Sequence, residues 1–192
     1  MTGNTATSRR MDLLNAARAV FAEKGVEGTR ISEIVARAGV AQGTFYLYFP
    51  SKVSLVLALA ELVQQKVEVA LTEACTLYPH QAIEKSVQSA FAIMEEYRDI
   101  LGVIHSSACW VEAPKEREHV LSSCYDLIAK WIRYEQAHER ISANINADIT
   151  AVLIAGIVYY AADECYLYNS SAQPEAYIRE TISFIKRALG IA

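Results

Sequence analysis

The chain has few of the residues that break or staple a fold. Its four prolines, Pro50, Pro79, Pro114 and Pro174, all fall between apolar-periodic segments, so none argues against helix inside them. Its four cysteines, Cys75, Cys109, Cys124 and Cys165, are scattered and form no CxxC pair. A chain of 192 residues does not need disulfides, so free thiols in a reducing cytosol are expected. The opening residues, MTGNTATSRR, lack an apolar core, so no signal peptide is visible. The longest apolar stretch, Ala151 to Ala162, contains Gly156 and two tyrosines and is too short to span a bilayer. No membrane partner is expected. There is no GxSxG, Walker loop, HExxH or dinucleotide-binding glycine pattern, and scattered Ser, His and Asp make no triad without geometry. An enzyme is not expected; neither are catalytic residues, a metal or a cofactor.

What is present is apolar content and helical period. The chain is 53% hydrophobic, ample for a packed core. The net charge is −4, weak evidence against a nucleic-acid partner, but its distribution reverses that. Residues 1–52 carry seven Lys/Arg against four acids, and the remainder carries 11 against 18. A basic head on an acidic body suits a protein that touches phosphate with one end. Almost every segment repeats with helical spacing and none alternates as a strand. Helices are expected at about 8–24, 31–38, 42–48, 52–76, 80–98, 100–109, 115–138, 147–168 and 174–189. Gly25 is read as a stop, Thr29, Ser51 and Asn146 as N-caps, and Gly39 as a turn.

The stretch from Ile31 to Lys52, ISEIVARAGVAQGTFYLYFPSK, is the most informative. It reads as helix, glycine turn, short helix and the start of a fourth helix: a helix-turn-helix unit. A helix that enters a major groove needs a narrow, polar start, which Ala41-Gln42-Gly43-Thr44 supplies. Gln suits an adenine edge and a Thr methyl can touch a thymine methyl. Phe45 and Phe49, four apart, should point inward. Tyr46, Tyr48 and Lys52 can reach phosphates, which set register rather than sequence. Thr29 and Arg30, at the mouth of the preceding helix, are further candidates. As a purely structural alternative, the aromatic run would be core alone.

This stretch resembles the DNA-binding domain of the TetR family of bacterial transcriptional regulators. The family's run after the turn, Val-Ser-x-Gly-Thr-x-Tyr-x-x-Phe followed by Lys, is matched by Val40 to Phe49 and Lys52. Ala41 stands where Ser is common, and the lost N-cap bond is worth roughly 1 kcal/mol. The resemblance implies an all-α, nine-helix architecture, with a head at 1–52 and a ligand-binding, dimerising body at 53–192. It implies a cytoplasmic repressor that binds a palindromic operator as a homodimer and is released by a small apolar or amphipathic effector. The penultimate helix is apolar nearly all round and must be covered on both sides, which points to dimerisation through the last two helices. His105, Cys109, Trp110, Tyr125, Trp131 and Tyr159 are candidates to line the effector pocket, although aromatics at helical spacing are more often core. His105 and Cys109, four apart, form at most half a metal or thiol site. Asp163 and Glu164 face either solvent or a pocket. Two other classes stay open: a helical small-molecule binder or enzyme with a vestigial head, and an interaction protein whose head docks protein.

Overall fold

The structure, a computed structural model, describes residues 3–106, 114–169 and 171–191. Every element among them is helical: α1 (Gly3–Gly28), α2 (Ile31–Ala38), α3 (Gln42–Tyr48), α4 (Lys52–Leu77), α5 (Ala82–Glu96), α6 (Arg98–Ser106), α7 (Pro114–Ala137), α8 (Ala147–Asp163) and α9 (Pro174–Leu189). The chain forms two compact units: Met1–Leu62 with Asp99–Glu118, and Val63–Arg98 with His119–Ala192. The division falls inside α4 rather than at its start.

In the first unit, the expected stripe of α1, Leu13, Leu14, Ala17, Val20 and Phe21, is buried, as are Ile34, Phe45, Phe49 and Leu55, and α1 packs on α2. Gly25 takes φ 70°, a left-handed conformation open to glycine, and interrupts α1 as expected. Arg18 forks onto both carboxylate oxygens of Asp99, at 2.5 and 2.7 Å, and so ties α1 to α6. Burial works to raise the Asp99 pKa, but the Arg18 hydrogen bonds and charge outweigh it and hold the carboxyl below its ordinary range.

The caps are mostly those the residue types predict. Gly39 sits at φ 66°, and the Val40 amide closes on the Val35 carbonyl at 3.0 Å, which stops α2 and turns the chain. Ser51 caps α4 by accepting from the Ser54 amide, while the Ser54 hydroxyl oxygen accepts from the Ser51 amide, a reciprocal box built from two serines. Asn146 accepts from the Ile149 amide at 3.0 Å. Thr29 is a correction: Arg30, not Thr29, is the N-cap of α2, and the Glu33 carboxylate accepts from the Arg30 amide at 2.9 Å. Thr29 instead turns inward and its hydroxyl donates to the Gly25 carbonyl at 2.7 Å, because that left-handed break leaves a carbonyl without a helical partner.

In the second unit, α5, α8 and α9 pack on one another around Val87, Phe91, Met94, Ala151, Ala155 and Ile185. The penultimate helix departs from a uniform helix over 147–168. It passes at Glu164–Tyr168 into a π-turn, closed by the Asn169 amide on the Glu164 carbonyl at 2.9 Å. Taken together, Ala147–Tyr168 is 22 residues long and apolar enough to cross a bilayer by length and composition, although only 28% of its most apolar 18-residue window is buried. The shorter run read from sequence stopped at Asp163 and Glu164, which the helix continues through. Ile149, Leu153, Gly156 and Tyr160 follow 4-3-4 spacing and all lie exposed, the three side chains at 61%, 59% and 72%. Phe184 of α9 is exposed as well.

Candidate nucleic-acid interface and body cavity

The local sequence sets the pose of α3. Phe45 is fully buried and Phe49 nearly so, their rings 5.9 Å apart, and together they anchor one side of a helix only seven residues long. The opposite side is therefore presented outward. Gln42 and Gly43 are exposed at its N-terminus, Thr44 and Tyr48 are half-buried, and Tyr46 is about half exposed with its ring edge-on to Phe45. Ala41 is the N-cap and offers no side-chain bond, as its chemistry requires. A Cβ at Gly43 would meet nothing within 4 Å, so that side of α3 is open to a close approach.

The basic residues of this unit divide into engaged and available groups. Arg18 holds Asp99, Lys24 pairs with Glu33, and Arg37 pairs with Glu23 at 2.5 Å. Lys52, expected at a phosphate, donates to the Val26 and Thr29 carbonyls at 2.8 and 3.0 Å. Two of its three protons thus close the end of α1 and the turn into α2. Thr29 is 2% exposed and contributes to that turn. Arg30 is exposed, with no ion pair described for it. Four of the seven basic residues of 1–52 are therefore engaged within the head, Arg10 faces Glu61 at 3.8 Å, and Arg9 on α1 and Arg30 at the mouth of α2 lie exposed.

The second unit contains a cavity with about 740 Å³ of unfilled space, counting the part open to solvent. Three stripes build it. Val67, Leu71 and Cys75 recur every four residues on α4, Ile83, Val87, Ala90 and Met94 follow 4-3-4 on α5, and Ile154, Val158 and Tyr159 come from α8. Trp131 and Cys124 of α7 complete the wall, so two of the six pocket candidates, Trp131 and Tyr159, lie in the lining. Tyr125 is half-buried and outside the lining, though it bears on the titration of Tyr159. His105 is exposed on α6 in the first unit. Cys109 and Trp110 lie outside the described residues, and so does the His105–Cys109 half-site. No cluster of metal-ligating side chains occurs among the described residues.

The cavity holds neutral groups. Burial, then the negative charge of Glu135, pushes the Cys75 thiol up to about 11. Burial does the same for Cys124, also to about 11, against the lowering effect of a Gln64 hydrogen bond. Neither is a thiolate at neutral pH, so neither is a reactive sensor thiol. The Tyr159 hydroxyl donates to Gln64 Oε1, and burial raises its pKa far above the ordinary phenol value. Gln64 was readable as unusual, because it interrupts the apolar 4-3-4 stripe Ala60, Gln64, Val67, Leu71. It is buried, and its amide nitrogen has no oxygen or nitrogen to donate to. Trp131 Nε1 is likewise buried without a hydrogen-bond partner. Asp163 is buried one turn beyond Tyr159 and its charge helps raise the Tyr159 pKa.

Known proteins of the same construction match along most of the chain. The family described as "Bacterial regulatory proteins, tetR family" matches residues 13–59, and "Tetracyclin repressor-like, C-terminal domain" matches 83–189. The uncharacterized HTH-type transcriptional regulator YvdT of Bacillus subtilis is 32% identical over 187 residues, 94% of each chain. Among solved structures, a TetR-family transcriptional regulator from Syntrophomonas wolfei superposes with a TM-score of 0.83 at 19% identity, covering 96% of both chains. The Bacillus subtilis regulator FadR, solved with stearoyl-CoA, superposes with a TM-score of 0.77 at 18% identity, covering 91% of this chain and 96% of that one.

Proposed function

Because the chain belongs to the TetR family and is a DNA-binding transcriptional regulator rather than an enzyme, we propose that it works as a cytoplasmic homodimeric repressor released by a small, largely apolar molecule. One observation carries the DNA reading: α3 is pinned by buried Phe45 and Phe49, with Gln42 and Gly43 exposed and Thr44 half-buried at its N-terminus. In such a helix, Gln42 and Thr44 meet base edges in the major groove, Gly43 lets the backbone approach, and Tyr46, Tyr48 and Arg30 meet phosphates. Lys52 keeps one proton for a phosphate beyond the two carbonyls it already serves.

The exposed stripe of Ile149, Leu153, Gly156 and Tyr160 supports a two-fold dimer through α8 and α9. A contiguous apolar face of this kind requires a cover, and two-fold pairing is the commonest closure for identical chains. Two reading helices related by that axis would address half-sites about one helical turn, or a multiple of it, apart on a palindrome.

The cavity supports the effector. Its lining is aliphatic and aromatic, with a few polar groups, as ligand sites usually are. That the FadR neighbour was solved with stearoyl-CoA supports an apolar occupant. Release requires that the effector bind the DNA-incompetent shape more tightly, and linkage makes the effect reciprocal. A coupling of about 1–3 kcal/mol means a ~5–150-fold change in each direction.

A mobility-shift titration against the DNA flanking the protein's own gene, repeated at several salt concentrations, tests the reading. Binding whose affinity falls steeply with salt is expected. Absence of any salt-dependent binding would leave a vestigial head or a protein-docking one.

A further inference from the structure

The body cavity poses a question that the apolar occupant alone does not answer: what its unpaired polar atoms are for. Trp131 Nε1 is a buried donor without a hydrogen-bond partner and lies in the wall; Gln64 Nε2 is buried with no oxygen or nitrogen acceptor, and Gln64 is held against the wall residue Tyr159 by that residue's hydroxyl. The weak Cys124 sulfur is the other group that bears on Gln64. A buried N–H without an acceptor is costly and rare, and such groups in native proteins call for a partner. Both orphans donate. No Lys, Arg or His lines the cavity among the described residues, and no carboxylate does either. The carboxylates identified as acting on wall residues are Asp163 on Tyr159, Glu135 on Cys75 and Glu68 on Cys124, and each repels an anion.

We propose that the cavity is selective for an uncharged, mainly hydrocarbon molecule carrying a carbonyl or similar hydrogen-bond acceptor, with Trp131 Nε1 as the donor that reads it. This rests on the reading of the body as an effector site and narrows its chemistry. An ionised carboxylate would lose its hydration with no cation to replace it, and an ammonium would lose its own with no carboxylate in the lining to pair with. A pure hydrocarbon would fit the walls but leave both donors unpaired. A ketone or ester satisfies at least one and keeps its apolar remainder against Val67, Met94 and Ile154. Cys75 and Cys124, as neutral thiols, add apolar surface rather than a covalent trap.

The test uses four probes of nearly one size with the full-length protein at pH 7: acetophenone, ethylbenzene, benzoate and benzylamine, each titrated calorimetrically. Acetophenone is expected to bind at least about fivefold more tightly than ethylbenzene, and benzoate and benzylamine at least about tenfold more weakly than acetophenone. Trp131→Phe keeps an aromatic ring and removes the N–H, so it should abolish the advantage of acetophenone over ethylbenzene, whatever it does to the two together. Equal binding of ketone and hydrocarbon, tighter binding of either ion, or a ketone preference surviving in Trp131→Phe overturns the proposal; so does failure of all four probes. The ranking on unaltered protein decides the matter even where Trp131→Phe folds poorly. A mobility shift on the same preparation separates the failures: intact operator binding with no probe preference refutes the ligand chemistry alone, whereas loss of both refutes the regulator reading.

Discussion

Replacing Lys52 by Met tests whether this lysine is first a structural residue of the head. Its Nζ donates to the Val26 and Thr29 carbonyls at 2.8 and 3.0 Å, and both acceptors belong to a turn interrupted by the left-handed Gly25. Met keeps the stem's packing and removes both bonds. Hydrogen bonds from a charged donor contribute about 1.5–3 kcal/mol each, and partial exposure of the side chain puts the pair together near 2 kcal/mol. For a chain of this length that lowers the melting temperature by roughly 4–8 °C. The assay is thermal unfolding followed by far-ultraviolet dichroism, with Arg30→Gln as the companion variant. Arg30 is exposed and has no ion pair described, so its replacement should leave stability within about 0.5 kcal/mol. It should instead flatten the logarithmic salt dependence of operator binding by about 0.9 for each phosphate that is no longer neutralised, once in each half of the dimer. A melting temperature unchanged in Lys52→Met would overturn the structural role, because it would mean the two carbonyls are equally well served by water.

Gln42→Ala and Thr44→Ala are each expected to reduce discrimination between operator and random DNA by about 1–3 kcal/mol while most non-specific binding persists; competition curves matching wild type would remove both from base contact. Leu153→Asp or Phe184→Asp should convert the dimer to monomer in sedimentation at micromolar concentration with the helical content retained, since both side chains are already exposed in the single chain. The half-buried Ile157 and Ile182 are poorer probes because they also pack internally. The Arg18–Asp99 clasp should make the head acid-sensitive. Asp99 has its pKa lowered by folding, so its contribution is present above the ordinary carboxylate pKa and is lost as pH falls through the lowered one. A stability-against-pH curve for Arg18→Met should show a smaller loss on acidification than wild type; parallel curves would count against the clasp.

The helix-turn-helix was legible because its signals are local. Gly39 supplies the one conformation that a tight turn needs, Phe45 and Phe49 are one helical turn apart, and Ser51 and Asn146 cap the helices that follow them. Local signals mislead at Thr29 and fall short at Lys52. A threonine before a helix and a cation after one have the same appearance whether they face a partner or the chain itself. Only the break at Gly25 decides that Thr29 and Lys52 turn inward to the carbonyls it exposes.

The helical class, the turn, the caps at Ser51 and Asn146 and the short helix after the turn could all be read from sequence, because each depends on residues within a turn or two of one another. So could an apolar helix near the C-terminus that needs a second cover. Which aromatic residues line the cavity depended on packing alone. Trp131 and Tyr159 are brought together with α4 and α5 over long sequence distances, while Tyr125, six residues from Trp131, lies outside the lining. Packing alone also buries Gln64 against Tyr159, ninety-five residues distant, and leaves Trp131 with an unpaired N–H. Periodicity tells which face of a helix is apolar; whether that face meets another helix, a partner or an open cavity depends on where the other helices lie.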